Sequence, residues 1–148
     1  MNIPTALLYR FGLYLLAVLT AYVLASFTAT QSVVSNLVSM GLEVDLVTRL
    51  SMTAKDLLGM AGTLLPMIAA GYLVAFLVVG ILLHWWPQWR TPLYIVAGGV
   101  ALITIHLTLQ LALSITPVAI GRTVGGLLVQ GLAGAVGGYV FSRWMQKG

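Results

Sequence analysis

Four stretches carry apolar residues almost without interruption, over about 11–28, 61–83, 92–115 and 117–141, and each is at least 18 residues long. A helix needs about 20 such residues to cross the hydrocarbon core of a bilayer. None of the stretches alternates apolar and polar positions, as the strands of a membrane barrel would. Helices satisfy all their backbone groups internally where no water reaches. The pattern therefore predicts an all-α integral membrane bundle of four transmembrane helices, forming a single membrane domain over 1–148.

Between the first two spans lies a semi-polar segment, 31–60, divided by Gly41. Before Gly41, the residues Val34, Leu37 and Val38 recur at helical spacing. After it, Leu46, Val47, Leu50, Ala54, Leu57 and Leu58 form an apolar stripe, with Asp45, Arg49 and Asp56 mostly off it. This is the periodicity of an amphipathic helix, expected outside the cytoplasm, where it lies on the outer leaflet, caps the bundle or covers a cavity. Asp45 and Arg49 are four residues apart, so an ion pair is expected between them. Thr53-Ala54-Lys55-Asp56 fits a capping box and is expected to open the second span.

Thr91-Pro92 and Thr116-Pro117 each set a capping hydroxyl before a proline, the signature of a helix start. Ser114-Ile115-Thr116-Pro117 then reads as a tight turn, making the third and fourth spans an antiparallel hairpin. Positions equally far from Thr116 lie at similar depth, which sets Gly126 level with His106 and Gly134 level with Gly99. At about 1.5 Å per residue, His106 lies roughly 15 Å below the turn and Gln110 roughly 9 Å. Gln110 comes level with Arg122 and Thr123.

Composition strengthens the membrane assignment. Hydrophobic residues make up 60% of the chain and charged residues 7%, against about 25% charged in a typical soluble domain. Cysteine is absent, which excludes disulfides and thiolate chemistry. The only acids are Glu43, Asp45 and Asp56, and the only histidines His84 and His106. No span contains an acid, which argues against a carrier that moves protons on a membrane carboxylate. No phosphate loop, dinucleotide fingerprint, metal-ligand spacing or catalytic triad can be drawn. No catalytic residue, metal site or cofactor is expected.

The net charge of +4 is scattered singly, not clustered, so a nucleic-acid partner is not expected. Arg10, Arg90, Arg143 and Lys147 fall on one side of a four-pass chain. Arg49, Lys55 and Arg122 fall on the other, offset by the three acids. The positive-inside rule then puts both termini in the cytoplasm of a multi-pass protein of the cell membrane, the inner membrane if the source is bacterial. Trp85, Trp86 and Trp89, with Tyr139, Phe141 and Trp144, are expected to form an interfacial aromatic belt at that side. Val23-Leu24-Ala25 resembles a signal-peptide cleavage site, but the run continues into Ser26, Thr28 and Thr30 without a break, so a retained first span is expected.

Polar groups inside spans carry the functional expectation. His106, Gln110 and Ser114 share one face of the third span with Gly99, while Thr123, Gly126, Gln130, Gly134 and Gly137 share one face of the fourth. The opposite face of the fourth, with Leu128, Leu132 and Val136, suits lipid. His106, Gln110, Gln130 and Thr123 are expected to line a polar intramembrane pocket, with Arg122 at its outer mouth or reaching for headgroups. Gly99, Gly126, Gly134 and Gly137 are expected to let the helices approach closely. The function read from these features is that of a non-enzymatic transporter, pore or accessory subunit, acting as a homo-oligomer or with a membrane-protein partner. The alternatives are a binding protein for a lipid or hydrophobic molecule, and a lipid-modifying enzyme with His106 as base. Membrane lipids are expected partners in every case.

Overall fold

The computed structural model describes residues 3–113 and 124–145, with side chains over 7–109 and 124–145. Five α-helices account for nearly all of them: α1 (Ile3–Ser39), α2 (Leu46–Gly59), α3 (Ala61–Leu82), α4 (Arg90–Leu113) and α5 (Val124–Met145). There is no strand among the described residues. α1, α3, α4 and α5 each hold a stretch long and apolar enough to cross a bilayer. The fold is thus an all-α membrane bundle of four such helices, with α2 inserted between the first two.

α1 departs from the expected length. It continues unbroken through 29–39 and spans 37 residues, or about 55 Å at 1.5 Å per residue. Its polar residues do not end it, because they turn back on the helix. Thr28 donates to the Leu24 carbonyl (2.8 Å) and Thr30 can donate to that of Ser26 (3.1 Å). Termination comes at Gly41, whose φ of +83° is a left-handed conformation that glycine adopts without a Cβ penalty. The Leu42 N–H reaches the Leu37 carbonyl and the Gly41 N–H that of Val38, the two bonds of a Schellman ending.

Two local expectations fail in 42–60. Asp45 does not pair with Arg49. It caps α2, its carboxylate accepting from the Thr48 N–H at 3.1 Å, because at the helix start that donor has no helical partner. Thr53 opens no helix either, since its hydroxyl donates to the Arg49 carbonyl (2.9 Å) inside α2. The second span starts at Ala61, after a break at Met60 alone: Met60 donates to Asp56, and its carbonyl accepts from Leu64. Likewise α4 starts at Arg90, after a 3₁₀ turn over Pro87–Trp89, two residues before Pro92. The Thr116-Pro117 turn lies outside the described residues.

The four long helices pack in the order α1, α5, α4, α3 around a common core, with α3 closing against α1. Glycine sets the spacing, because lipid provides little hydrophobic drive for helices to associate and van der Waals contact must supply it. A methyl built on Gly134 would run into the Gly98 carbonyl, and one on Gly138 into the Tyr94 carbonyl. A methyl on Gly137 would lie 2.8 Å from the Ala17 carbonyl of α1. α5 is thus held against two neighbours along two sides. Near the Arg10 end, Phe76 of α3 stacks on Phe141 of α5 (4.6 Å between centroids) and meets Tyr94 of α4 edge-on (5.1 Å). Phe141, expected in the interfacial belt, is therefore a core residue. Trp85, Trp86, Trp89, Tyr139 and Trp144 remain exposed.

α2 presents three faces. Arg49, Thr53, Asp56 and Leu57 are half-buried against the bundle. Leu46, Val47, Leu50 and Leu58 point away from it, each 63–82% exposed, and Thr48, Ser51 and Lys55 form an exposed polar edge. A helix lying in a membrane interface needs this division, with one arc for lipid and one for water.

Two outcomes follow from this packing. Gly138→Ala should cost about 1–3 kcal/mol by forcing backbones apart. Gly80→Ala and Gly125→Ala, where nothing lies within 4 Å, should be neutral or gain about 0.4–1 kcal/mol. Unfolding in detergent micelles would measure all three. The Thr48 side chain and N–H hold the Asp45 carboxyl below its ordinary value, so the cap acts at neutral pH and is lost only as pH falls below about 4. Amide protection factors at the start of α2, corrected for the intrinsic exchange rate, should fall in that window and hold across it in Asp45→Asn.

Candidate functional site

Three tyrosines and Gln130 bond to backbone carbonyls of other helices. Tyr14 of α1 donates to Ala69 of α3, and Tyr22 of α1 to Leu57 of α2. Tyr72 of α3, fully buried, crosses the bundle axis and donates to the Gly134 carbonyl of α5 at 2.5 Å. Glycine at 137 makes the room for that hydroxyl, since a Cβ there would strike it. Each bond also accommodates a hydroxyl that lipid could not solvate.

Gln130 is 1% exposed, and its amide turns toward α1. Its Nε2 donates to the Ala25 carbonyl (3.0 Å) and to the Thr28 hydroxyl (3.3 Å). The Thr28 hydroxyl can accept because its own proton goes to its own helix. His106 is 4% exposed, and its Nδ1 meets the Leu102 carbonyl at 2.9 Å. A carbonyl only accepts, so Nδ1 carries the proton and Nε2 the lone pair. The structure therefore does not join His106 to Gln130. Each leaves one acceptor, Nε2 and Oε1, buried with no donor among the described residues, as does the Ser26 hydroxyl. At these three atoms the pairing of interior polar groups is incomplete.

A polar contact not foreseen from the sequence lies at the α2 end. The buried Thr30 hydroxyl sits 2.7 Å from Asp56 Oδ2. No acid lies within a long apolar run, yet folding brings this one from α2 against α1. The tyrosines were equally unforeseen, although a tyrosine deep in an apolar run is itself a signal that its hydroxyl must find a carbonyl nearby. Of the remaining candidates, Arg122, Thr123 and the Gln110 side chain lie outside the described residues. Gly99 contacts the Gly131 carbonyl, and Gly126 is buried, as are Gly134 and Gly137.

Two apolar cavities open on the flanks. One, about 720 Å³, runs between α3 and α4, where Ala70, Gly71, Ala97 and Ala101 leave space and Thr104 and Thr108 are the polar lining. The other, about 570 Å³, lies near the N-terminal part of α1 and includes Arg10 and Tyr94. Comparison with known proteins gives no match to any family model, curated protein or solved structure.

Gln130→Leu should lower bundle stability by about 0.6 kcal/mol, the measured average for hydrogen bonds between membrane helices, and by no more than about 1.7 kcal/mol. Tyr72→Phe should cost a comparable amount. Reversible unfolding in bicelles checks both, and a gain in stability for either would mean that these bonds do not tie the helices.

Proposed function

We propose that this chain is a non-enzymatic membrane subunit, a small accessory or transport component working beside a partner protein or as an oligomer. In this reading it sits in the cell membrane with both termini in the cytoplasm, because Arg10, Arg90 and Arg143 gather at one end of the bundle. The observation that carries the proposal is the contrast between a closed interior and an open flank. Glycine contacts and Tyr72 fill the bundle axis, while the α3–α4 groove stays open to the bilayer along most of α3. A single copy with Tyr72 across its axis offers cargo no evident route, so transport would require further subunits.

A second reading is favoured by that same groove: its size and apolar lining suit a lipid or other hydrophobic molecule. The lipid-modifying enzyme gains no support from His106, whose ring is held by its own helix.

Native mass spectrometry directly from membranes separates the two readings. The subunit reading expects a defined oligomer or a stoichiometric partner protein. A bare monomer carrying one bound hydrophobic molecule would favour the second, and a bare monomer carrying nothing would remove both.

A further inference from the structure

Guanidinium groups at the edge of a membrane attract countercharge, and at the Arg10 end this chain has no acidic side chain to supply it. Its three acids, Glu43, Asp45 and Asp56, all belong to the segment at the other end of the bundle. Arg90 opens α4, and its Nε is shut away from solvent with no hydrogen-bond partner among the described residues. Arg10 lies near the start of α1, at the rim of the 570 Å³ cavity. Arg90 stands one turn before Tyr94 on the same face of α4, and Tyr94 lines that cavity together with Arg10. The N-terminus of α4 adds the positive end of its dipole at the same place.

Beside these charges the cavity is apolar. Phe11 of α1 and Leu73 and Leu77 of α3 form its outer walls, each 53–61% exposed toward the bilayer, and Phe141 lies buried behind them. A slot continuous with the hydrocarbon, with Arg10 at its rim, Arg90 one turn beyond Tyr94 and no acidic side chain in its lining, matches one occupant in both halves: an acyl chain below and a phosphate above. Arginine binds phosphate through a planar fork of N–H donors.

We propose that this cavity is a binding site for one anionic phospholipid of the leaflet on the Arg10 side, its acyl chain against Leu73 and Leu77 and its phosphate on Arg10 and Arg90. The site is separate from the α3–α4 groove. It holds whether or not a partner protein exists, so a monomer that retains the lipid leaves it intact.

The test uses the full chain in mild detergent, exposed to equimolar dioleoyl phosphatidylglycerol and phosphatidylcholine, with bound lipid read by native mass spectrometry. The native chain should retain phosphatidylglycerol preferentially. The preference should fall about fivefold for each arginine removed in Arg10→Gln and Arg90→Gln, and should largely survive Arg10→Lys. Leu73→Trp, which fills the slot at an exposed position and leaves both arginines in place, should reduce retention of phosphatidylglycerol. If Arg90→Gln impairs folding, Arg10→Gln and Leu73→Trp still decide the matter. Equal retention of the two lipids by the native chain overturns the proposal. So does a preference that survives loss of both arginines, or retention indifferent to Leu73→Trp, which would reduce the effect to surface charge.

Discussion

Gly98 and Gly134 bring α4 and α5 together backbone to backbone, and much else in the bundle follows from that approach. In water, burying apolar side chains would drive two helices together. In lipid that drive is largely lost, and close van der Waals contact takes its place. Small residues decide which faces can meet. α5 carries glycine toward both α4 and α1, so it takes the place between them. The space that glycine opens at 137 then admits the Tyr72 hydroxyl from the opposite helix, which finds the Gly134 carbonyl there. Replacing one glycine would therefore disturb a helix contact and a hydrogen bond together.

The second constraint is that every polar group inside the bundle must find a partner within the chain. Threonines on α1 return their hydroxyls to their own helix. Tyrosines and Gln130 reach across to carbonyls of neighbours. His106 satisfies one ring nitrogen on its own turn. What remains, the Nε2 of His106, the Oε1 of Gln130 and the Ser26 hydroxyl, marks where this pairing is incomplete. At the Arg10 end, what is incomplete is charge, and there the surrounding lipid can complete it.

Much of this was legible in the sequence. Long apolar runs gave the number of helices long enough to span a bilayer. Counting outward from Thr116 gave the antiparallel register of α4 and α5, because depth in a hairpin depends only on distance from the turn. The glycine face of α5 and its lipid face, with Leu128 and Leu132, followed from helical periodicity. Other features depended on competition between local bonds. Polar residues after Thr28 suggested an end to the first helix, yet their hydroxyls satisfy the helix that contains them, and only Gly41 stops it. Asp45 had Arg49 in reach but found unpaired backbone N–H groups nearer. Gln130 shares a face with glycines that pack on α4, yet its long side chain reaches α1 instead. Direction within a shared face is set by tertiary packing, which spacing alone does not reveal. For the polar pocket foreseen around His106, the Gln110 side chain, Arg122 and Thr123 lie outside the described residues, and His106 and Gln130 bond to different helices.

The close approach of α4 and α5 can be measured without perturbing any native thiol, because the chain has no cysteine. A Cβ built on Gly99 would lie 3.7 Å from that of Ala135, near the mean separation of about 3.8 Å across a disulfide. The double variant Gly99→Cys/Ala135→Cys, oxidised in native membranes and then treated with a thiol reagent, should be protected from alkylation, while each single variant stays reactive once solubilised. Full alkylation of both cysteines after oxidation would mean that the two backbones do not meet, and that glycine contact does not organise the bundle.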